Sequence, residues 1–407
     1  MIVNNKNHIK EIFIILLISA IILYLSNILI DGRLNSIENL TIELRSAPTE
    51  LLYDWKMSEI APFKYRFLFP FIVKKTYQAF FSQPNVEGFY YVYLFYTYLS
   101  LCFAGVSFYF LSILVYDNTA FVILSMFLFF TSCPILFSHI VPVHTREDFL
   151  AYGLLCMGLI YIIKNYWIAY LLISILGVLC RETLLLLPFI YLFFSNNQFQ
   201  KLPIKLILAA IPFVVYFLLR YILGTEHYDY WLGLKWNIKS LEQVVLFFFL
   251  TFHLLWFFFI FELFNHSKNN KENSSGGLLL HQSALSATGL VLTTTFLFAI
   301  FNEIRILFLI FPWVISLSSR WLINNKATVC SYFLNKKNTL YFVLISLLFI
   351  LLVCAFLMNV KKLAQFVTYP VLLSTWIPIA LFYIYLLGLS LPFIVKIIKN
   401  ITKVKFT

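Results

Sequence analysis

Apolar runs of roughly 20 residues recur from one end of this 407-residue chain to the other. A helical run of that length spans a bilayer, and inside lipid only helices and closed barrels satisfy every backbone group. The composition agrees. Hydrophobic residues make up 61% of the chain and charged ones 12%, whereas soluble domains carry about 25% charged residues. The sequence therefore predicts an all-α polytopic integral membrane protein, one transmembrane domain over 1–407, with about twelve helices (range eleven to thirteen).

The predicted spans are 11–30, 88–115, 119–140, 148–164, 166–180, 183–197, 203–223, 243–264, 279–300, 306–319, 340–358 and 371–393. The run from Glu11 to Ile30 follows Lys6 and Lys10. It is longer than a signal-peptide core and lacks a small-residue cleavage site, so it reads as a retained first span. Among short loops the Lys and Arg residues favour one side, which points to cytoplasmic N and C termini. On that threading four of the eighteen carboxylates fall inside, namely Glu11, Asp117, Glu262 and Glu272. The others face outward. An active site on an apolar scaffold needs polar groups gathered on one side, so this sorting is the functional signal.

The net charge of +12 raises nucleic acid as a partner, but no basic run is interleaved with polar sequence as nucleic-acid binding requires. Membrane topology accounts for the charge instead, which makes the bilayer the expected partner and excludes nucleic acid. The six cysteines are scattered and form no metal or redox motif, so they read as packing residues. No phosphate-cradling glycine loop or nucleophile elbow is present.

Two stretches stand out as soluble. The first extracytoplasmic loop, 31–87, is long, and its 65–81 part mixes apolar and basic residues in the manner of an amphipathic interfacial helix. The second, 265–277, is rich in Asn, Ser and Lys and reads as a flexible cytoplasmic linker.

Five charge clusters fall outside. In the first loop Asp54 and Glu59 precede Lys64 and Arg66, so cations could hold an anion while a carboxylate acts as base. A solvated loop with surface ion pairs explains the same residues. His144, Arg146, Glu147 and Asp148 open the fourth span. Helix capping explains Asp148, while the whole group suits a metal or phosphate. Arg181 and Glu182 sit between two short apolar runs, either as a mutual ion pair or as an anion contact through the planar guanidinium. Glu226 to Trp231, with His227, and Asn302 to Arg305 complete the set. The aromatics of the first of these, Tyr228, Tyr230 and Trp231, also belong at a membrane interface.

Asp54, the stretch Pro62 to Pro70, the Arg146-Glu147-Asp148 group and Gly177 to Thr183 together resemble the GT-C superfamily of polytopic membrane glycosyltransferases, over about the first 200 residues. The resemblance implies transfer of a sugar from a polyprenyl-phosphate-linked donor to a glycan, lipid or protein acceptor of the cell envelope. The reaction would run on the extracytoplasmic face of a bacterial inner membrane. It further implies Asp54 as catalytic base, with Asp31 as its rival and Glu59 nearby. Arg66, Arg181 and Arg305 would hold the lipid phosphate, with Lys64, His144, Arg146, Glu182 and His227 lining the substrate. Glu147 and Asp148 resemble an acidic pair that binds a divalent metal, Mg or Mn, in some members. The chain has no Asp-x-Asp motif. Two other classes stay open, an envelope polysaccharide polymerase or ligase and a secondary transporter or flippase. A transporter needs broken helices and charges at mid-membrane.

Overall fold

A computed structural model of the chain describes residues 8–30, 66, 68–82, 86–136, 147–194, 201–224, 231–239, 241–265, 274–299 and 304–327. The described residues are helical and contain no strand. The elements are α1 Ile9–Ile30, α2 Leu68–Phe80, α3 Val86–Val115, α4 Thr119–Phe130, the short α5 Cys133–Leu136, α6 Glu147–Ile163 and α7 Trp167–Cys180. A 3₁₀ turn, Glu182–Leu185, leads to α8 Leu186–Phe194. Then come α9 Leu202–Leu223, α10 Leu232–Lys239, α11 Leu241–Phe252, α12 Leu255–Asn265, α13 Ser275–Phe298 and α14 Ile304–Leu307. A second 3₁₀ turn, Phe308–Ile310, opens α15 Phe311–Asn324.

Two of these helices are long and apolar enough to cross a membrane, Tyr91–Val115 within α3 and Leu202–Leu223, which is α9. They differ in surroundings. Most of the first is buried among other helices, whereas only 17% of the second is covered. Leu206, Ile207, Val214, Phe217, Leu218 and Ile222 all face outward from α9. A contiguous apolar face of that size is unfavourable against water and favourable against lipid.

The core is aromatic. Rings of Phe108, Phe129, Phe308, Phe311 and Tyr152 contact one another where α3, α4, α6 and α15 meet, at centroid distances of 5.0 to 6.2 Å. Such edge and offset contacts add to the burial of each ring. Two helices, α4 and α13, start at side-chain caps. The Asn118 side chain accepts from the backbone N–H groups of Ala120 and Phe121, and the Ser274 hydroxyl accepts from that of Gly277. Glycines allow close approach. A Cβ at Gly276 would lie 2.6 Å from the Leu114 carbonyl oxygen, so α13 rests directly on the end of α3. Gly153 accepts the Phe103 ring in the same way, locking α6 to α3.

These contacts give α3 a direction through the bundle. Near its start Tyr93 packs with Phe69, with Leu150 alongside, and at its far end Val115 and Tyr116 meet Gly276, Gly277 and Arg320. At 1.5 Å per residue the two levels are about 35 Å apart. That distance is close to the hydrocarbon thickness of a bilayer, about 30 Å.

Several elements depart from the expected spans. The 243–264 stretch is two helices, broken at His253, whose φ is 39°. The 119–140 stretch leaves α4 after Phe130, where Thr131 and Ser132 turn their hydroxyls onto the carbonyls of Phe127 and Phe129 and compete with the ladder. The 183–197 stretch opens with the 3₁₀ turn. Within 65–81 the helix α2 buries Phe69, Val73 and Tyr77. The 265–277 stretch is helical at both ends, in Asn265 and from Ser275, and 266–273 lies outside the described residues, as do the spans expected at 340–358 and 371–393.

Candidate functional site

Four charged residues from three separate segments converge at one end of the bundle. Arg66 precedes α2, Asp148 is in the first turn of α6, Arg181 follows α7, and Glu182 opens the 3₁₀ turn. Helix α7 ends because Arg181 is extended, with φ −159° and ψ 132°. The extended backbone at Arg181 sends its side chain in a different direction from that of Glu182, which opens the 3₁₀ turn. Gly177 helps. A Cβ there would sit 3.0 Å from Leu184, so the absent side chain lets the 3₁₀ turn fold back against α7.

The pairing follows from that backbone. Arg181 turns inward to form an ion pair with Asp148, and both side chains are buried, at 0% and 2% exposure. Glu182 turns the other way and takes two hydrogen bonds from Arg66, 3.1 Å from Nη2 and 3.5 Å from Nε. In place of a mutual pair between Arg181 and Glu182, one of the two readings of the sequence, two pairs tie the α7–α8 connection to α6 and to the segment before α2. Asp148 also gains from its place at a helix start, where the dipole favours negative charge.

The two pairs differ in access. Arg66, like Arg181, is enclosed, and Glu182 keeps 23% of its side chain exposed. Glu182 lies in the break between two predicted spans. Burial raises the pKa of its carboxyl, but the guanidiniums of Arg66 and Arg181 outweigh that effect and bring it down to about 2. It is a carboxylate at neutral pH, suited to holding cations or hydroxyls and unsuited to donating a proton.

Tyr152, one turn below Asp148, is fully buried and packs on Phe308. Phe308 follows α14, so the backbone of Arg305 belongs to the same end of the bundle. Glu147 starts α6 beside Asp148. Asp31, Asp54, Glu59, Lys64, His144, Arg146 and His227 lie outside the described residues.

A second buried pair occupies the opposite end, where Glu262 of α12 lies 3.2 Å from Arg320 of α15. The Arg320 guanidinium stands 5.7 Å from the centre of the Tyr116 ring. Each residue has an inner position on the predicted threading, and nothing in the sequence shows that they meet, since 58 positions separate them and neither sits in a motif. Cys102, Cys156 and Cys180 are buried. Among the described residues no group of three or more His, Cys, Asp or Glu side chains could hold a metal ion. The Asp148 carboxylate is already neutralised by Arg181, so a divalent cation there would have to displace a guanidinium. The side chain of Glu147, the other residue of the expected metal pair, lies outside the described residues.

Comparison of the chain with family models, with curated proteins and with solved structures gives no match.

Proposed function

We propose that this protein is a membrane glycosyltransferase that moves a sugar from a polyprenyl-phosphate-linked donor to a cell-envelope acceptor on the extracytoplasmic face. It would be a multi-pass protein of the bacterial inner membrane with both termini in the cytoplasm. The observation that supports this reading is the gathering of Arg66, Asp148, Arg181 and Glu182 from three segments at one end of an apolar bundle. A lipid phosphate lies at that depth, with its chain between helices, and the leaving phosphate gains charge as the glycosidic bond breaks. Preorganised cations at that point lower the barrier.

The roles divide by access. Arg66, whose partner Glu182 is the partly exposed member of the cluster, is the guanidinium proposed to take the phosphate, with Arg305 as a second contact. Arg181, enclosed with Asp148, positions the Glu182 turn and adds positive field. In the transfer an acceptor hydroxyl attacks the anomeric carbon, its proton passes to Asp54, and the polyprenyl phosphate departs toward Arg66. Asp31 is the alternative base.

One observation favours a different class. The break at His253 puts non-helical backbone and an ionisable side chain inside a predicted span, as transporters do at their substrate sites. The experiment that separates them supplies the full-length protein in vesicles with a panel of polyprenyl-phosphate sugars and acceptors and measures released polyprenyl phosphate. Release supports the transferase. Substrate movement across the vesicle wall without release would replace it with transport.

A further inference from the structure

Helix α10 lies at the same end of the bundle as the Arg66 and Asp148 cluster. Helix α13 starts against Leu114 and Val115, and its 24 residues run about 36 Å toward the opposite end. There the Asn237 amide of α10 donates to the carbonyls of Phe296 and Ala299, at 2.9 and 2.8 Å. The last carbonyls of a helix have no partner within it, so Asn237 caps α13 from outside. Gly233 makes the contact tight. A Cβ there would lie 2.8 Å from the Ala299 backbone nitrogen.

Gly233 and Asn237 are four positions apart and so share one face of α10, the face that is buried on α13. The other side carries exposed residues. Lys235 and Lys239, again four apart, are exposed, and Trp236 and Ile238 flank them at 46% and 56% exposure. Trp231, just before the helix, is 58% exposed. A row of two lysines bordered by tryptophan and isoleucine is neither a core face nor an ordinary solvated one. Indole rings prefer the headgroup level of a bilayer, and lysines there attract anionic lipid.

We infer that α10 is an interfacial anchor whose Lys235 and Lys239 bind the anionic headgroups of the surrounding phospholipid, while Trp231 and Trp236 seat it at the headgroup level. This rests on the membrane reading of the chain and is independent of the proposed transferase chemistry. Its consequence is mechanical. Because Asn237 and Gly233 fasten α10 to the end of α13, lipid held by α10 fixes the depth at which the charged end of the bundle sits.

The test is amide hydrogen exchange on the full-length protein, reconstituted in phosphatidylcholine vesicles with and without phosphatidylglycerol. Each lysine near an anionic surface contributes about fivefold, so exchange over 231–239 should slow by about 25-fold when phosphatidylglycerol is present. The Lys235→Gln/Lys239→Gln variant, altered only at exposed positions, should lose that difference and keep the rest of its exchange pattern. Equal exchange in both vesicles, or a variant that responds like the wild type, would overturn the inference. Fast exchange across Leu202–Leu223 in either vesicle would overturn the membrane reading itself and this inference with it.

Discussion

Replacing Arg181 with methionine would leave the Asp148 carboxylate buried with its cation gone. Arg181 is fully enclosed and Asp148 nearly so, and the pair crosses from the α7–α8 connection to the start of α6. Removing one partner of such a pair costs about 3 to 5 kcal/mol, because an uncompensated charge remains in a medium of low dielectric. The reverse holds when both partners go. A well-packed apolar pair of similar volume is often neutral or stabilising, so Arg181→Met/Asp148→Leu should fall within about 1 kcal/mol of the wild type. The difference is a coupling energy of several kcal/mol, far outside the additive range expected of independent sites. The assay is reversible unfolding in mixed micelles by increasing sodium dodecyl sulfate, followed by circular dichroism, for the wild type, both single variants and the double. A single-variant loss below about 1 kcal/mol, or a double variant that simply sums the singles, would refute the claim that this pair is an enclosed structural tie.

Other predictions follow from the same geometry. Glu182 has a folded pKa of about 2, below the ordinary 4.5, so its contribution to stability is complete above pH 4.5 and is lost as pH falls toward 2. Thermal unfolding should be insensitive to this group from pH 7 to 5 and decline below, and Glu182→Gln should remove that part of the decline. Asn237→Ala, which strips the outside cap from two α13 carbonyls, should cost about 1 to 3 kcal/mol in the same micelle titration. Gly276→Val would press side-chain atoms into the Leu114 carbonyl and should destabilise by about 1 to 3 kcal/mol or more. Trypsin susceptibility of the α12–α13 connection would report the loosening.

How far these features could be read from sequence depends on the kind of information each one needs. Apolar length places helices well, because burial in lipid needs only composition, and α3, α6, α7 and α9 start and stop within two residues of the expected spans 88–115, 148–164, 166–180 and 203–223. Breaks inside apolar runs are not legible in this way. His253 interrupts one run through a positive φ, and Thr131 with Ser132 ends another through side-chain hydrogen bonds, neither of which alters hydropathy. For the candidate site, Arg66, Asp148, Arg181 and Glu182 are all legible as members of outer charge clusters. Their partners are not. Adjacent Arg181 and Glu182 suggest a mutual pair, and only the extended backbone at Arg181 sends them to separate partners, with 116 positions between Arg66 and Glu182. The cap made by Asn237 left no trace in sequence, since a polar residue on a short amphipathic helix reads as exposed.

The most direct test of the proposed transferase compares release of polyprenyl phosphate by the wild type, by Arg66→Gln and by Glu262→Leu/Arg320→Met, in the same vesicles and with one active donor. Removing a preorganised charge contact at the leaving group should lower turnover by about 100-fold or more. The account predicts that loss for Arg66→Gln and wild-type release for the pair replaced at the opposite end of the bundle. Undiminished release from a folded Arg66→Gln protein, or no release from any donor by the wild type, would contradict it.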